Sequence, residues 1–206
     1  MNNEIEEELG RKYIIYSLIS KGSFGSVYRV KNKHNSRLSA LKIINLQTCS
    51  KSTIIALMNE AKYLRNIKCD QVIRIYDELR IRDHYIYEVE LLEVTLEEII
   101  TNGNLKNQEI RSIVKNILIG IEYLHSKRII HRDLKPENIG FLHKNDYNTL
   151  KIFDFGLGIK TNKENIFFKQ KVGTMMYMAP EIFYLNEYNY VFLTESGYLV
   201  HWNHSL

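Results

Sequence analysis

Between Asn107 and Ser126 the apolar residues Ile110, Ile113, Val114, Ile117, Leu118, Ile121 and Leu124 recur every three or four positions. That spacing puts them on one wide face of a single long helix, and such a face is stable only under cover from other elements. The chain must therefore build a core around this helix. The residues before it are of a different kind. From Tyr13 to about Leu92, β-branched and aromatic residues alternate with polar ones. Gly22, Gly25 and the polar stretch Lys31 to Ser36 interrupt them, a pattern that predicts strands joined by tight turns. One helix is expected within this region. Ser50 and Ser52 are N-cap candidates, and Ile54, Leu57, Met58, Ala61, Leu64 and Ile67 follow at helical spacing. The expected class is α+β, strand-rich first and helix-led second, with a junction near Leu91 to Val94.

Composition narrows the function classes. The 206 residues are 45% hydrophobic and 25% charged, enough apolar material for one or two packed cores. The net charge of +4 is spread along the chain with no basic stripe, so no nucleic-acid partner is expected. Met1 to Leu9 is acidic and polar, unlike a secretory signal, and no apolar run approaches membrane-spanning length. No membrane partner is expected either. Cys49 and Cys69 match no metal or disulfide spacing and read as reduced thiols of a cytoplasmic or nuclear protein. Nothing in the pattern speaks to oligomeric state.

Two local features carry chemistry. The first is Ser20-Lys21-Gly22-Ser23-Phe24-Gly25-Ser26-Val27, set between two strand-like runs. Glycines there let a hairpin bring backbone N–H groups against phosphate oxygens, although a glycine hairpin by itself is most often only a turn. The second is Lys42, inside the apolar run Ala40-Leu41-Lys42-Ile43-Ile44. A lysine there is costly without an anionic partner. Glu60, one turn before Leu64 on the following helix, is the candidate. A surface ion pair is the commoner meaning of such a couple.

Further along stand His131-Arg132-Asp133-Leu134-Lys135-Pro136-Glu137-Asn138, then Asp154-Phe155-Gly156 after a hairpin from Phe141 to Lys151, then Ala179-Pro180-Glu181. With the glycine hairpin and Lys42, these motifs stand in the order and at the spacing of the eukaryotic protein kinase family, which the chain resembles from Tyr13 to about Ile182. The resemblance implies a two-lobed α+β fold: a small lobe of antiparallel sheet over about 13–92 and a partial large lobe over about 93–182. It implies ATP and Mg²⁺ as cofactors and a protein partner offering a Ser or Thr hydroxyl.

Roles follow position by position from the resemblance. Asp133 would accept the proton of the attacking hydroxyl, and Lys135 would neutralise charge on the transferred group. Asn138 and Asp154 would hold Mg²⁺. Lys42, paired with Glu60, would orient ATP. The glycine hairpin, with Ile19 and Val27 flanking it, would cover the nucleotide. Ala40 and the hinge from Glu90 to Leu92 would contact adenine, with Val89 as gatekeeper. Leu64, Ile75, His131 and Phe155 would stack as an apolar spine. Lys135-Pro136-Glu137 and Gly173-Thr174 match the Ser/Thr-type members. Arg132 beside Asp133 is the arrangement of members switched by phosphorylation, and between Asp154 and Glu181 the only hydroxyls are Thr161, Thr174 and Tyr177. Thr174 is the expected structural threonine, which leaves Thr161 as the target.

The chain departs from the family in three places. Ser20 replaces the first loop glycine. Gly140 stands where an apolar side chain normally lies under adenine, so weaker ATP binding is expected. After Ile182 the residues 183–206 have no counterpart, where the family continues with a helix whose aspartate holds the catalytic loop and, later, an arginine that pairs with Glu181. Reverse translation of Gly197 to Leu206 with one nucleotide dropped is compatible with Asp-Ile-Trp-Ser-Ile-Gly-Ile-Ile-Leu, the start of that helix. The expectation is a frame shift between about Glu187 and Gly197, which makes His201 and His204 out-of-frame residues and not metal ligands. The alternative to an active kinase is a catalytically silent nucleotide-binding module or a decayed reading frame. A P-loop NTPase is disfavoured, because no Gly-Lys-Ser/Thr phosphate loop occurs.

Overall fold

A computed structural model describes residues 3–22, 25–103, 105–161, 167–168, 172–178 and 188–189. The chain forms two compact units, residues 1–67 with 73–92 and residues 68–72 with 93–206.

The first unit opens with a helix absent from the sequence reading, α1 (Asn3–Lys12). Glu4 and Glu6 occupy its first turn and Arg11 and Lys12 its last, so its charges complement the helix dipole. Five antiparallel strands follow: β1 (Tyr13–Lys21), β2 (Gly25–Asn32), β3 (Leu38–Asn45), β4 (Ile75–Ile81) and β5 (His84–Val89), in the order β1-β2-β3-β5-β4. Ile5 and Leu9, one helical turn apart, are buried against Tyr13, Val30, Leu41, Ile43, Ile81 and Ile86. That cluster takes alternate residues of β3, and the residues between them, Ala40, Lys42 and Ile44, belong to the other face.

One charge sits inside the α1 face. Glu88 of β5 is 0% exposed. Its carboxylate accepts hydrogen bonds from Ser39 Oγ at 2.8 Å, Tyr13 Oη at 3.0 Å and Asn32 Nδ2 at 3.3 Å. Arg37 adds an ion pair at 3.5 Å, while its guanidinium lies 3.5 Å from the centre of the Tyr76 ring. A carboxylate is tolerated at that depth only with donors on several sides. These come from β1, β2, β3 and the β2–β3 turn, so the network pins the register of four strands. Burial, followed by the charge of Glu88, pushes the Tyr13 phenol far up and keeps it a donor.

The helix α2 (Lys51–Arg65) starts where sequence places it, with Ser50 Oγ accepting from Thr53 N at 3.1 Å. Among its described side chains Leu57, Glu60, Ala61 and Leu64 are buried, whereas Met58 is exposed and Ile67 lies beyond the last turn. The helical period places both on the apolar face. Period alone assigns a stripe, but its width is set by what packs against it.

The second unit holds β6 (Val94–Thr95), α3 (Leu96–Asn102), α4 (Asn107–Ser126), β7 (Ile129–Ile130), β8 (Ile139–Phe141), β9 (Leu150–Ile152), β10 (Ile159–Lys160), β11 (Phe167–Phe168) and β12 (Tyr188–Asn189). Its sheets are β6-β8-β9, β7 with β10, and β11 with β12. The helix α4 has the bounds expected from its periodicity and buries Ile113, Ile117 and Leu124. Leu118, assigned to the same face by spacing, is exposed, and Asn116 is buried instead. Asn116 Nδ2 donates to Ser112 O at 3.0 Å and its Oδ1 accepts from Gln71 Nε2 at 3.3 Å, which makes that burial tolerable. Among the described residues no helix is long and apolar enough to cross a membrane.

Candidate functional site

The candidate residues divide between the two units. In the first, β1 and β2 turn tightly, and Gly22 N donates to Gly25 O at 2.9 Å. A Cβ on Gly25 would lie 2.2 Å from Ile43 O, so this position needs glycine for the close approach of β2 to β3. Ile19, Ser20 and Lys21 are exposed at the end of β1, and Ser23 and Phe24 lie outside the described residues. Val27 stands between Ser20 and Lys42 across the sheet, and Ala40 is buried opposite Val89. Lys42 Nζ lies 3.5 Å from Glu60 Oε1 on α2. At the end of β5 the backbone of Glu90 donates to Arg74 O at 3.2 Å, while its carboxylate accepts from Arg74 N at 2.8 Å. Leu92 closes this unit.

In the second unit the loop after β7 carries His131 to Asn138. His131 is buried, with Nε2 2.9 Å from Phe153 O and Nδ1 accepting from Asp133 N at 3.3 Å. Those two partners assign the neutral ring with its proton on Nε2. Burial, the largest cause, holds its pKa below the ordinary value. The ring meets Phe155 edge-on at 4.6 Å. His131 thus ties the loop over residues 132–138 to the segment bearing Asp154.

Asp133 is the centre of a hydrogen-bonded set. Its Oδ1 accepts from both Thr174 N and Thr174 Oγ1, each at 2.8 Å. Lys135 Nζ donates to Thr174 Oγ1 at 2.9 Å and stands 3.6 Å from Asp133 Oδ2. Asn138 Nδ2 donates to Asp133 O at 2.8 Å and to Oδ2 at 3.2 Å. Phe153 N donates to Asn138 O at 3.0 Å, which sets the residue before Asp154 against Asn138. Asn138 and Asp154 offer hard oxygen donors, the type Mg²⁺ prefers beside phosphate and water. These residues fit the ion.

Left-handed backbone occurs here, as it does at Ser36, Arg82 and Arg128. Arg132 has φ 66 and Asp154 φ 63, the left-handed region that side-chain-bearing residues seldom occupy. Gly173, at φ 116, packs so tightly that a Cβ would lie 2.5 Å from Arg132 O. Arg132 Nε donates to Leu157 O at 2.6 Å, a tie no sequence signal announces.

Thr161, the expected phosphorylation target, is 2% exposed, and its backbone amide donates to Arg128 O at 3.0 Å. Its hydroxyl is therefore not presented to a phosphorylating enzyme in this arrangement. Gly140 lies buried in β8 opposite Thr95 and Lys151. Ile75 is half-buried on β4 and Leu64 buried on α2. Ala179, Pro180 and Glu181 lie outside the described residues, as do the expectations for residues 190–206.

The family model for the protein kinase domain matches residues 13–192. The chain is 31% identical over 171 residues to the Serine/threonine-protein kinase TIO of Arabidopsis thaliana, covering 82% of this chain and 13% of that protein. It is 35% identical over 173 residues to the Carbon catabolite-derepressing protein kinase of Candida tropicalis, covering 83% and 27%. It is 33% identical over 189 residues to Calcium-dependent protein kinase 5 of Plasmodium berghei, covering 88% and 32%. The chain thus spans about a third or less of the length of the curated relatives it matches.

Proposed function

Because the chain belongs to the protein kinase family, we propose that it transfers the γ-phosphoryl group of ATP to serine or threonine hydroxyls of proteins, with Mg²⁺. The observation that carries the phosphoryl-transfer reading is the Thr174–Asp133–Lys135 set. A threonine hydroxyl there orients the aspartate and places the lysine ammonium beside it.

The chain's own residues would work as follows. Asp133 Oδ1 is committed to two short bonds from Thr174, whereas Oδ2 holds the longer contacts from Asn138 at 3.2 Å and Lys135 at 3.6 Å, so Oδ2 is the oxygen to take the acceptor's proton. Lys135 supplies positive charge beside it. His131, neutral and doubly bonded, keeps the loop's geometry without competing for that proton. Lys42, held by Glu60, orients the α- and β-phosphates. Mg²⁺, when bound through Asn138 and Asp154, neutralises phosphate charge.

The test is transfer of labelled phosphate from ATP to a generic protein substrate by purified chain, beside an Asp154→Ala control. Transfer abolished by that change supports the reading. Soluble, folded protein that transfers nothing supports the silent module instead, a reading favoured by glycine at position 140, where the resemblance calls for an apolar side chain under adenine.

A further inference from the structure

On the face of the sheet that carries Lys42, the lysine has a second neighbour besides Glu60. Tyr87 stands directly opposite it across the β3–β5 pair. The Lys42 ammonium lies 5.4 Å from the centre of the Tyr87 ring, and Tyr87 is 2% exposed. We propose that Tyr87 is a positioning residue for Lys42, its ring holding the ammonium while Glu60 holds it by charge. This role rests on the reading of Lys42 as the nucleotide-orienting lysine.

The physical case has two parts. A ring face attracts a cation through its quadrupole and uses none of the three ammonium N–H donors. The lysine can thus be confined and still donate to phosphate. A long flexible stem loses much rotamer freedom when it is ordered, and ordering it beforehand removes that cost from nucleotide binding.

The ring is itself braced. Tyr85 lies 5.9 Å from Tyr87, ring to ring, at 53°. The Tyr85 hydroxyl donates to Glu78 on β4, and Arg65, at the end of α2, pairs with Glu78. Burial raises the Tyr85 phenol, which keeps it a donor at neutral pH. α2 therefore reaches the same lysine twice, directly through Glu60 and through Arg65, Glu78, Tyr85 and Tyr87. An aliphatic residue at 87 would fill the space but would leave the cation without the ring.

The experiment measures the Kd of a fluorescent ATP analogue with Mg²⁺, and KM and kcat for protein phosphorylation. It compares the unmodified chain with Tyr87→Phe and Tyr87→Met, each also in a Lys42→Met background. Tyr87→Leu replaces Tyr87→Met if the methionine variant is insoluble. Loss of the ring is expected to raise Kd and the KM for ATP about threefold with kcat nearly unchanged. Tyr87→Phe should behave as the unmodified chain, and in the Lys42→Met background loss of the ring should change nothing further. Equal losses for the phenylalanine and aliphatic variants would overturn the proposal, as would an equal loss with Lys42 already removed. No nucleotide binding by the unmodified chain would overturn the kinase reading and this role with it. Binding indifferent to Tyr87 would remove this role alone.

Discussion

Thr174 gives both its backbone amide and its hydroxyl to one oxygen of Asp133, each at 2.8 Å. The residues are 41 positions apart in sequence, so the contact makes the segment after Gly173 part of the catalytic loop's support. Asp133→Asn is expected to lower kcat by about 10²- to 10⁴-fold, the weight of a general base. Thr174→Val should fall short of that, and Thr174→Ser should keep most activity because it retains both donors. Steady-state phosphorylation kinetics check all three, and a valine variant as active as the serine one would remove the hydroxyl from the account.

Gly173→Ala meets two obstacles, the positive φ and the carbonyl of Arg132. A left-handed non-glycine residue costs about 1–3 kcal/mol, and relief would have to come from moving Thr174 away from Asp133. The expected outcome is a larger loss in kcat than in thermal stability. A normal kcat in the alanine variant would show that the loop tolerates the shift.

Tyr13→Phe and Ser39→Ala each remove one donor from the buried Glu88 carboxylate. Each is expected to cost about 1–3 kcal/mol, because the carboxylate stays behind underpaired. Denaturant unfolding measures the loss. The double variant should lose more than the sum if the remaining donors cannot close around the charge.

Leu9→Ala tests whether α1 belongs to the first unit's core. Leu9 is buried among sheet residues, and truncation of such a side chain costs about 2–5 kcal/mol. An exposed, separate helix would show almost no change in the unfolding midpoint.

Burial holds the His125 imidazole down to about 4 from its ordinary value of 6.5. Between those values the unfolded chain carries the proton and the folded chain does not. Stability therefore rises with pH over that window and falls as solution is acidified through it. The whole shift corresponds to on the order of 3 kcal/mol. His125→Gln should flatten the difference in unfolding free energy between pH 6.5 and 4.5. An unchanged slope would place the acid sensitivity elsewhere.

Much of the fold was legible because its signals are local. The bounds of α4 follow from a 3.6-residue period, and the start of α2 follows from Ser50 reaching its own third residue. Motif spacing alone singles out Asp133, Asn138, Asp154 and Thr174. α1 escaped because only Ile5 and Leu9 carry it within an otherwise polar stretch, although their four-residue spacing was there to be read. Leu118 and Met58 were misplaced for the opposite reason: period suggests a face, not what covers it.

By itself the sequence determined the family, the α+β class and which residue types the chemistry needs, since periodicity, turn chemistry and motif spacing act over a few residues. Tertiary structure alone decided that Thr161 is buried, that His131 is neutral, that Glu88 sits as a charge inside the sheet and that Lys42 has the Tyr87 ring near it as well as Glu60. Each of these depends on which distant groups displace water around a side chain. Desolvation and pairing are properties of the assembled neighbourhood, not of the residue or its near neighbours in the chain.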